Sequence, residues 1–267
     1  MTGKCRIIAL ANQKGGTGKT TTTSNLGSAL AKNGKRVLLV DLDPQANLSM
    51  SFGIDRPDEL KISMNDMLTH IVIADLNETP LPNKDVYILG NGKFDIIPSN
   101  NTLSIAESNL RNELGAEHTL SELLEPLSQD YDYIIIDTSP SLGLLTINAL
   151  TACNEVIIPV STQLWSITGL VDLVETVYKV KKKLNKQINI TGIVLTMCDE
   201  RTLLYKKASD LIREFCENKI RIFNTRIPST VDVGKANYVS KSVIDFNEGS
   251  KAAHAYKAFA DEVIAHG

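Results

Sequence analysis

Short apolar runs and helix-period segments alternate along nearly the whole chain. Seven runs read as buried strands: Arg6–Ala11, Arg36–Val40, Phe94–Ile97, Tyr133–Ile136, Glu155–Val160, Ile190–Thr196 and Ile220–Phe223. Most are continuously apolar rather than alternating, as strands are when both faces are covered. Amphipathic stretches separate them at Thr20–Asn33, Leu103–Asn112, Leu120–Leu127, Ile167–Leu184 and Leu203–Asn218. This alternation predicts one α/β domain over residues 1–267. Its sheet is doubly wound and mostly parallel, with helices on both faces. Asn33-Gly34-Lys35 reads as a helix stop and turn before the second strand. The segment 51–91 is the least regular. Turn residues at Asp55-Arg56-Pro57-Asp58 and Pro80-Leu81-Pro82-Asn83 make it a surface insertion by this reading. The last helix, Ser250–Ala265, mixes polar and small residues and is predicted to lack a strong apolar face.

Composition narrows the class. Hydrophobic residues make up 43% of the 267 and charged residues 22%, which fits a folded globular chain and not a disordered one. No apolar run approaches the roughly 20 residues of a membrane helix. The first apolar stretch, Ile7-Ile8-Ala9-Leu10, is too short for a signal peptide. Cys5, Cys153, Cys198 and Cys216 form no C-x-x-C pair, so zinc and iron–sulfur sites lack support. Reduced thiols in a cytoplasm are the simplest reading. The net charge of −3 is uneven: residues 179–241 carry 14 Lys and Arg against 6 Asp and Glu. Such a region can dock a polyanion, or it can be solvated helix surface, the commoner fate of a run such as Lys181–Lys183.

One segment carries specific chemistry. Gln13-Lys14-Gly15-Gly16-Thr17-Gly18-Lys19-Thr20-Thr21 follows the first strand and opens a helix, the context that a phosphate-binding P-loop requires. The glycines allow tight turning, and backbone N–H groups can then face phosphate oxygens. The helix N-terminus adds positive potential. In this pattern Lys19 reaches the β- and γ-phosphates of ATP, Thr20 holds Mg²⁺, and Thr21 meets the α-phosphate. The first glycine of the usual loop is replaced by Gln13, and Lys14 follows. Two lysines this close are costly unless each meets its own anion. One solution sends Lys14 into the nucleotide of a second subunit, as a cation acting in trans.

The loop Lys14–Thr20 resembles the deviant Walker A motif of the ParA/MinD family of ATPases. Val40-Asp41-Leu42-Asp43-Pro44-Gln45, Ile134-Ile135-Ile136-Asp137-Thr138-Ser139-Pro140 and Ile157-Ile158-Pro159-Val160 resemble further motifs of that family, in order. The resemblance implies a homodimer closed around two ATP molecules, with weak, partner-stimulated hydrolysis. By position, Asp43 orients the attacking water, Asp41 supports the Mg²⁺ and its water shell, and Asp137 holds Mg²⁺. Asp43-Pro44 is also a turn signal by itself. Thr196-Met197-Cys198-Asp199 and Arg226-Ile227-Pro228 resemble purine-contacting loops, which makes Met197 and Pro228 binding candidates; Cys198 can equally be core.

Within the family, absent cysteine pairs argue against cluster carriers. The C-terminal Tyr256–Gly267 stretch holds two acids and one lysine, a poor membrane anchor. Asp43-Pro44-Gln45 and Ser139-Pro140-Ser141-Leu142-Gly143 look like the ParA branch. The expected function is chromosome or plasmid partition: a switch that binds DNA non-specifically and answers to a ParB-like partner protein, in the cytoplasm on the nucleoid. The chain starts almost at its first strand, so an N-terminal operator-reading domain is not expected. Phosphate contacts are assigned to Lys179, Lys181, Lys182, Lys183, Lys186, Lys206, Lys207, Arg213, Lys219, Arg221, Arg226, Lys235 and Lys241. The alternative is a MinD-like positioning ATPase for a non-DNA cargo.

Overall fold

The computed structural model describes residues 4–77, 80–163, 167–217 and 219–266. Eight strands form one sheet: β1 Arg6–Leu10, β2 Val37–Leu42, β3 Leu89–Gly90, β4 Asp95–Ile97, β5 Tyr133–Thr138, β6 Glu155–Ser161, β7 Asn189–Cys198 and β8 Ile222–Pro228. Their spatial order is β3-β4-β2-β5-β1-β6-β7-β8. All pairs are parallel except β3 with β4. Eleven α-helices are described: α1 Lys19–Lys32, α2 Asn47–Ser51, α3 Met64–Asn77, α4 Leu103–Leu110, α5 Thr119–Leu124, α6 Leu144–Ala152, α7 Ile167–Lys183, α8 Leu203–Cys216, α9 Val231–Tyr238, α10 Val243–Phe246 and α11 Lys251–Ala265. The last residue of the expected helix Leu203–Asn218 lies outside the described residues.

The continuous apolar strands feed two cores at once. In β5, Ile134 and Ile136 join one hydrophobic cluster while Tyr133 and Ile135 join the other. β2 divides the same way, with Leu38 and Val40 opposed to Val37 and Leu39. Side chains alternate faces along a strand, so an unbroken apolar run is what a two-sided sheet demands. On one face α1 packs tightly: a Cβ at Gly27 would come within 2.7 Å of the Leu39 side chain. The turn at Gly34 has φ +74°, and Gly34 N–H closes onto the Ala31 carbonyl, as the helix stop requires.

Two expectations need correction. The segment 51–91 is not mere surface: its helix α3 buries Met64, Met67, Leu68 and Ile71 in the core. The flanking turn residues hid a helix whose apolar positions recur at i, i+3, i+4 and i+7. Helix α11 does have an apolar face. Ala252, Ala253, Tyr256, Phe259, Ala260 and Val263 are buried against the opposite core, and Phe259 meets Phe223 edge-on with centroids 5.0 Å apart. Alanines gave that face a weak hydropathy signal, yet small side chains are what let a helix approach closely. Helices α2, α6, α9 and α10 also lie outside the expected stretches.

Candidate functional site

The central strand β1 runs into the glycine-rich loop; its neighbours β5 and β6, and β2 beyond β5, all point their carboxyl ends to the same side. Ligands in open α/β sheets bind at this edge, where successive connections depart to opposite sides. A cavity of about 720 Å³ opens there, walled by Gly15–Thr21 with Asp43 and Met197.

The loop's shape follows from its sequence. Gly16 and Gly18 adopt φ of +73° and +82°, which side chains rarely tolerate. Asn12 braces the entry: its Nδ2 donates to the Pro159 carbonyl at 2.7 Å and its Oδ1 accepts from Lys14 N–H at 2.9 Å. Thr196 Oγ1 donates to the Thr17 carbonyl at 2.8 Å and so ties the loop to β7. Helix α1 starts with no side-chain cap and no acid in its first turn. Its orphan N–H groups face the cavity and invite an anion. Lys19 is only 7% exposed. Its ammonium donates to the Lys14 carbonyl at 3.3 Å, a neutral acceptor that a phosphate oxygen would outcompete. Burial lowers the Lys19 pKa, against the pull of Asp137 and Asp43.

Three carboxylates stand near the loop, in different situations. Asp137 is fully buried beneath Thr20, whose Oγ1 donates to Asp137 Oδ2 at 2.6 Å. Burial, then the charge of Asp41, raises the Asp137 pKa, and Thr20 and Lys19 oppose the rise. A bound cation would reverse that balance and favour the carboxylate. Asp43 lines the cavity. Its Oδ1 accepts from Gln45 N–H at 3.0 Å, so it shapes the turn as well. Asp41 is placed differently. It is fully buried, off the cavity wall, and both oxygens are engaged: Oδ1 with Asp43 N–H at 3.2 Å, Oδ2 with Ser49 N–H at 2.8 Å and Ser49 Oγ at 2.7 Å. Burial lifts its pKa to about 6 despite these donors. An acid so tied fixes the turn that carries Asp43.

The two purine candidates are placed differently. Met197 lines the cavity with φ +52°, whereas Pro228 ends β8 opposite Cys198 and lies off the wall. Asn237, near the end of α9, and Ser240, just beyond it, are on the wall. Nothing in their sequence context marked them, because α9 itself was not foreseen. No cluster of three or more His, Cys, Asp or Glu suited to a metal occurs among the described residues. A divalent ion here would depend on Thr20 Oγ1, Asp137 and oxygens of the nucleotide, the donor set hard magnesium prefers. The thiols of Cys5, Cys153, Cys198 and Cys216 are buried and unbridged. No described helix is long and apolar enough to cross a membrane.

Comparison with known proteins agrees with this geometry. Residues 5–190 match the protein family described as an AAA domain. The sporulation initiation inhibitor protein Soj of Bacillus subtilis (strain 168) is 40% identical over 263 residues, 98% of this chain and 99% of the relative. The chromosome partitioning protein ParA of Caulobacter vibrioides is 36% identical, covering 97% of this chain and 94% of the relative. Among solved structures, cobyrinic acid a,c-diamide synthase from Mycobacterium smegmatis with bound ATP analog and magnesium superposes with a TM-score of 0.82. It is 33% identical and covers 98% of this chain and 95% of that one.

Proposed function

The chain belongs to the ParA/MinD family of P-loop ATPases, and we propose that it is a partition switch: an ATP-closed homodimer that binds DNA non-specifically and releases it on hydrolysis. The observation that carries the two-subunit reading is the contrast between the two loop lysines. Lys19 is buried on the wall of its own cavity, while Lys14, half-buried, is not part of that wall. Gly15 and Gly16 beside it are exposed, so the loop leaves room for an approaching second copy.

The residues then divide the work. The P-loop N–H groups and Lys19 bind the phosphates, Thr20 and Asp137 hold Mg²⁺, and Asp43 orients water. Lys14 of the partner subunit stabilises charge on the transferring phosphoryl group. Magnesium neutralises charge on the phosphates when bound. Met197, Asn237 and Ser240 flank the purine.

Seven lysines of the basic region separate into two sets. Lys206 and Lys207 begin α8, and Lys235 and Lys241 flank the end of α9. All four are exposed and lie at the cavity end of the sheet. Lys182, Lys183 and Lys186 precede β7 and lie at the opposite end. Arg221 and Arg226 leave the list of phosphate contacts. Arg221 pairs with Glu262 at 3.2 Å, and Arg226 donates to the carbonyls of Phe223, Asn224 and Thr225. Only the cavity-end lysines stand near a surface that ATP-driven pairing would reorganise, so we assign the DNA contacts to them. The apolar face of α11 is buried within the fold, which favours DNA over a membrane as the carrier surface. Partner-stimulated turnover in the cytoplasm, on the nucleoid, completes the reading.

Binding to long non-specific DNA with ATP·Mg²⁺, with ADP and without nucleotide, over a salt series, tests it. Tight binding only with ATP, falling steeply with salt, is expected. Binding to anionic vesicles and not to DNA, with ATP-dependent dimers still forming, would replace it with the MinD-like alternative.

A further inference from the structure

A closed polar clasp surrounds Asp43, and none of its other members touches the cavity. The Asp43 N–H donates to Asp41 Oδ1 at 3.2 Å. Its carbonyl accepts from Ser99 Oγ at 2.8 Å. Ser49 joins the two anchors: its Oγ donates to Asp41 Oδ2 at 2.7 Å and accepts from Ser99 N–H at 2.9 Å. Asp41, Ser49 and Ser99 are all fully buried. Both sides of the Asp43 backbone are therefore held by one network. Buried networks of this kind are rigid when every member is satisfied and costly when one is removed.

The clasp also reaches outward. Met64 N–H at the start of α3 donates to the Pro98 carbonyl at 2.7 Å, and Asn101 N–H donates to Asp58 Oδ1 at 3.1 Å. These bonds bracket Ser99 on both sides and fasten it to the segment 51–91. They help pack an apparently irregular insertion against the core near the cavity.

We infer that Ser99 and Ser49 are positioning residues that hold the Asp43 carboxylate where it meets the attacking water. The inference rests on the assignment of Asp43 to that water. A loop freed to drift by about 1 Å costs up to roughly a hundredfold in turnover while leaving the phosphate cradle intact. The clasp therefore acts on kcat and not on nucleotide affinity.

Steady-state ATPase assays on Ser99→Ala, Ser49→Ala, Asp43→Ala and the Asp43→Ala/Ser99→Ala double variant test it, with thermal melting in ATP·Mg²⁺ alongside. Ser99→Ala should lower kcat by about tenfold to a hundredfold, with KM for ATP within about twofold of the parent. Ser99→Thr, which keeps the hydroxyl, should recover most of the loss. In the Asp43→Ala background, Ser99→Ala should lower turnover no further, since both act through one carboxylate. An unchanged kcat, a matching rise in KM, or a loss that adds fully to that of Asp43→Ala overturns the inference. If Ser99→Ala does not fold, Ser49→Ala puts the same question through the other anchor. Wild-type turnover in Asp43→Ala would sink the underlying assignment. An inactive Asp43→Ala beside an unaffected Ser99→Ala would sink the clasp alone.

Discussion

The two ends of the sheet use charge in opposite ways. At the carboxyl end, Lys19 lies buried near carboxylates with no direct ion pair among the described residues, held by the Lys14 carbonyl. That end keeps an open cavity and unsatisfied helix N–H groups. At the amino end, two arginines are paired within the fold. Arg6 grips Glu155 with both Nε and Nη2, at 2.6 and 2.7 Å, reaches the Val263 carbonyl at 2.5 Å, and stacks 5.3 Å from the Tyr133 ring centre. Arg36 pairs with Asp132 at 2.9 Å. One end is preorganised for a ligand it must wait for; the other is finished when the chain folds. Stability and turnover should therefore be separable by mutation, although the same strands run through both ends.

The sharpest test is Lys19→Ala. It should abolish measurable ATPase, a loss of a thousandfold or more by the scale of removed transition-state donors, while melting stays near the parent value. Asp43→Ala should follow, with turnover down about a hundredfold, ATP still bound and dimers trapped; nucleotide binding and gel filtration read these out. At the other end, Arg6→Ala should leave kcat unchanged in the folded protein but cost about 2–3 kcal/mol in denaturant unfolding, because Glu155 loses its partner in a mostly buried site. A change in kcat there would break the comparison. The smallest effect separates the lysines. Lys235→Ala with Lys241→Ala should weaken DNA binding about tenfold and flatten the salt slope by about one to two. The triple change at Lys182, Lys183 and Lys186 should alter it less than about twofold. Equal losses from both sets would remove the assignment of DNA to the cavity end.

Most of the sheet was legible because its strands are buried on both faces. The run Tyr133-Ile134-Ile135-Ile136 admits few other readings, and six of the expected runs fall on strands, while Ile220–Phe223 meets β8 only at Ile222 and Phe223. The P-loop was legible because its glycines, lysine and threonine have separate jobs at fixed spacing. What escaped was written in residues whose meaning depends on neighbours distant in sequence. Asp41 and Asp137 look alike, each closing an apolar strand, and they face each other in register across β2 and β5. Only the fold shows that Ser49 claims the first while Thr20 claims the second. The alanines of α11 and the serines at 49 and 99 carry little signal alone. Arg221 and Arg226 counted as surface charge until Glu262 and the carbonyls of β8 took them up.

The central strand makes its partners wait. β1 precedes the other seven strands in the chain, yet among the described residues it pairs with β5, beginning at Tyr133, and with β6, beginning at Glu155. β2 also completes its ladder with β5. The phosphate cradle at the end of β1 cannot be braced until that distant half has been made, and Asn12 has no Pro159 carbonyl to hold before then. Closing such long loops is slow and leaves apolar edges uncovered meanwhile. A nascent chain that has already delivered its whole P-loop still has no nucleotide site. Nucleotide binding by this protein therefore reports that its second half has folded.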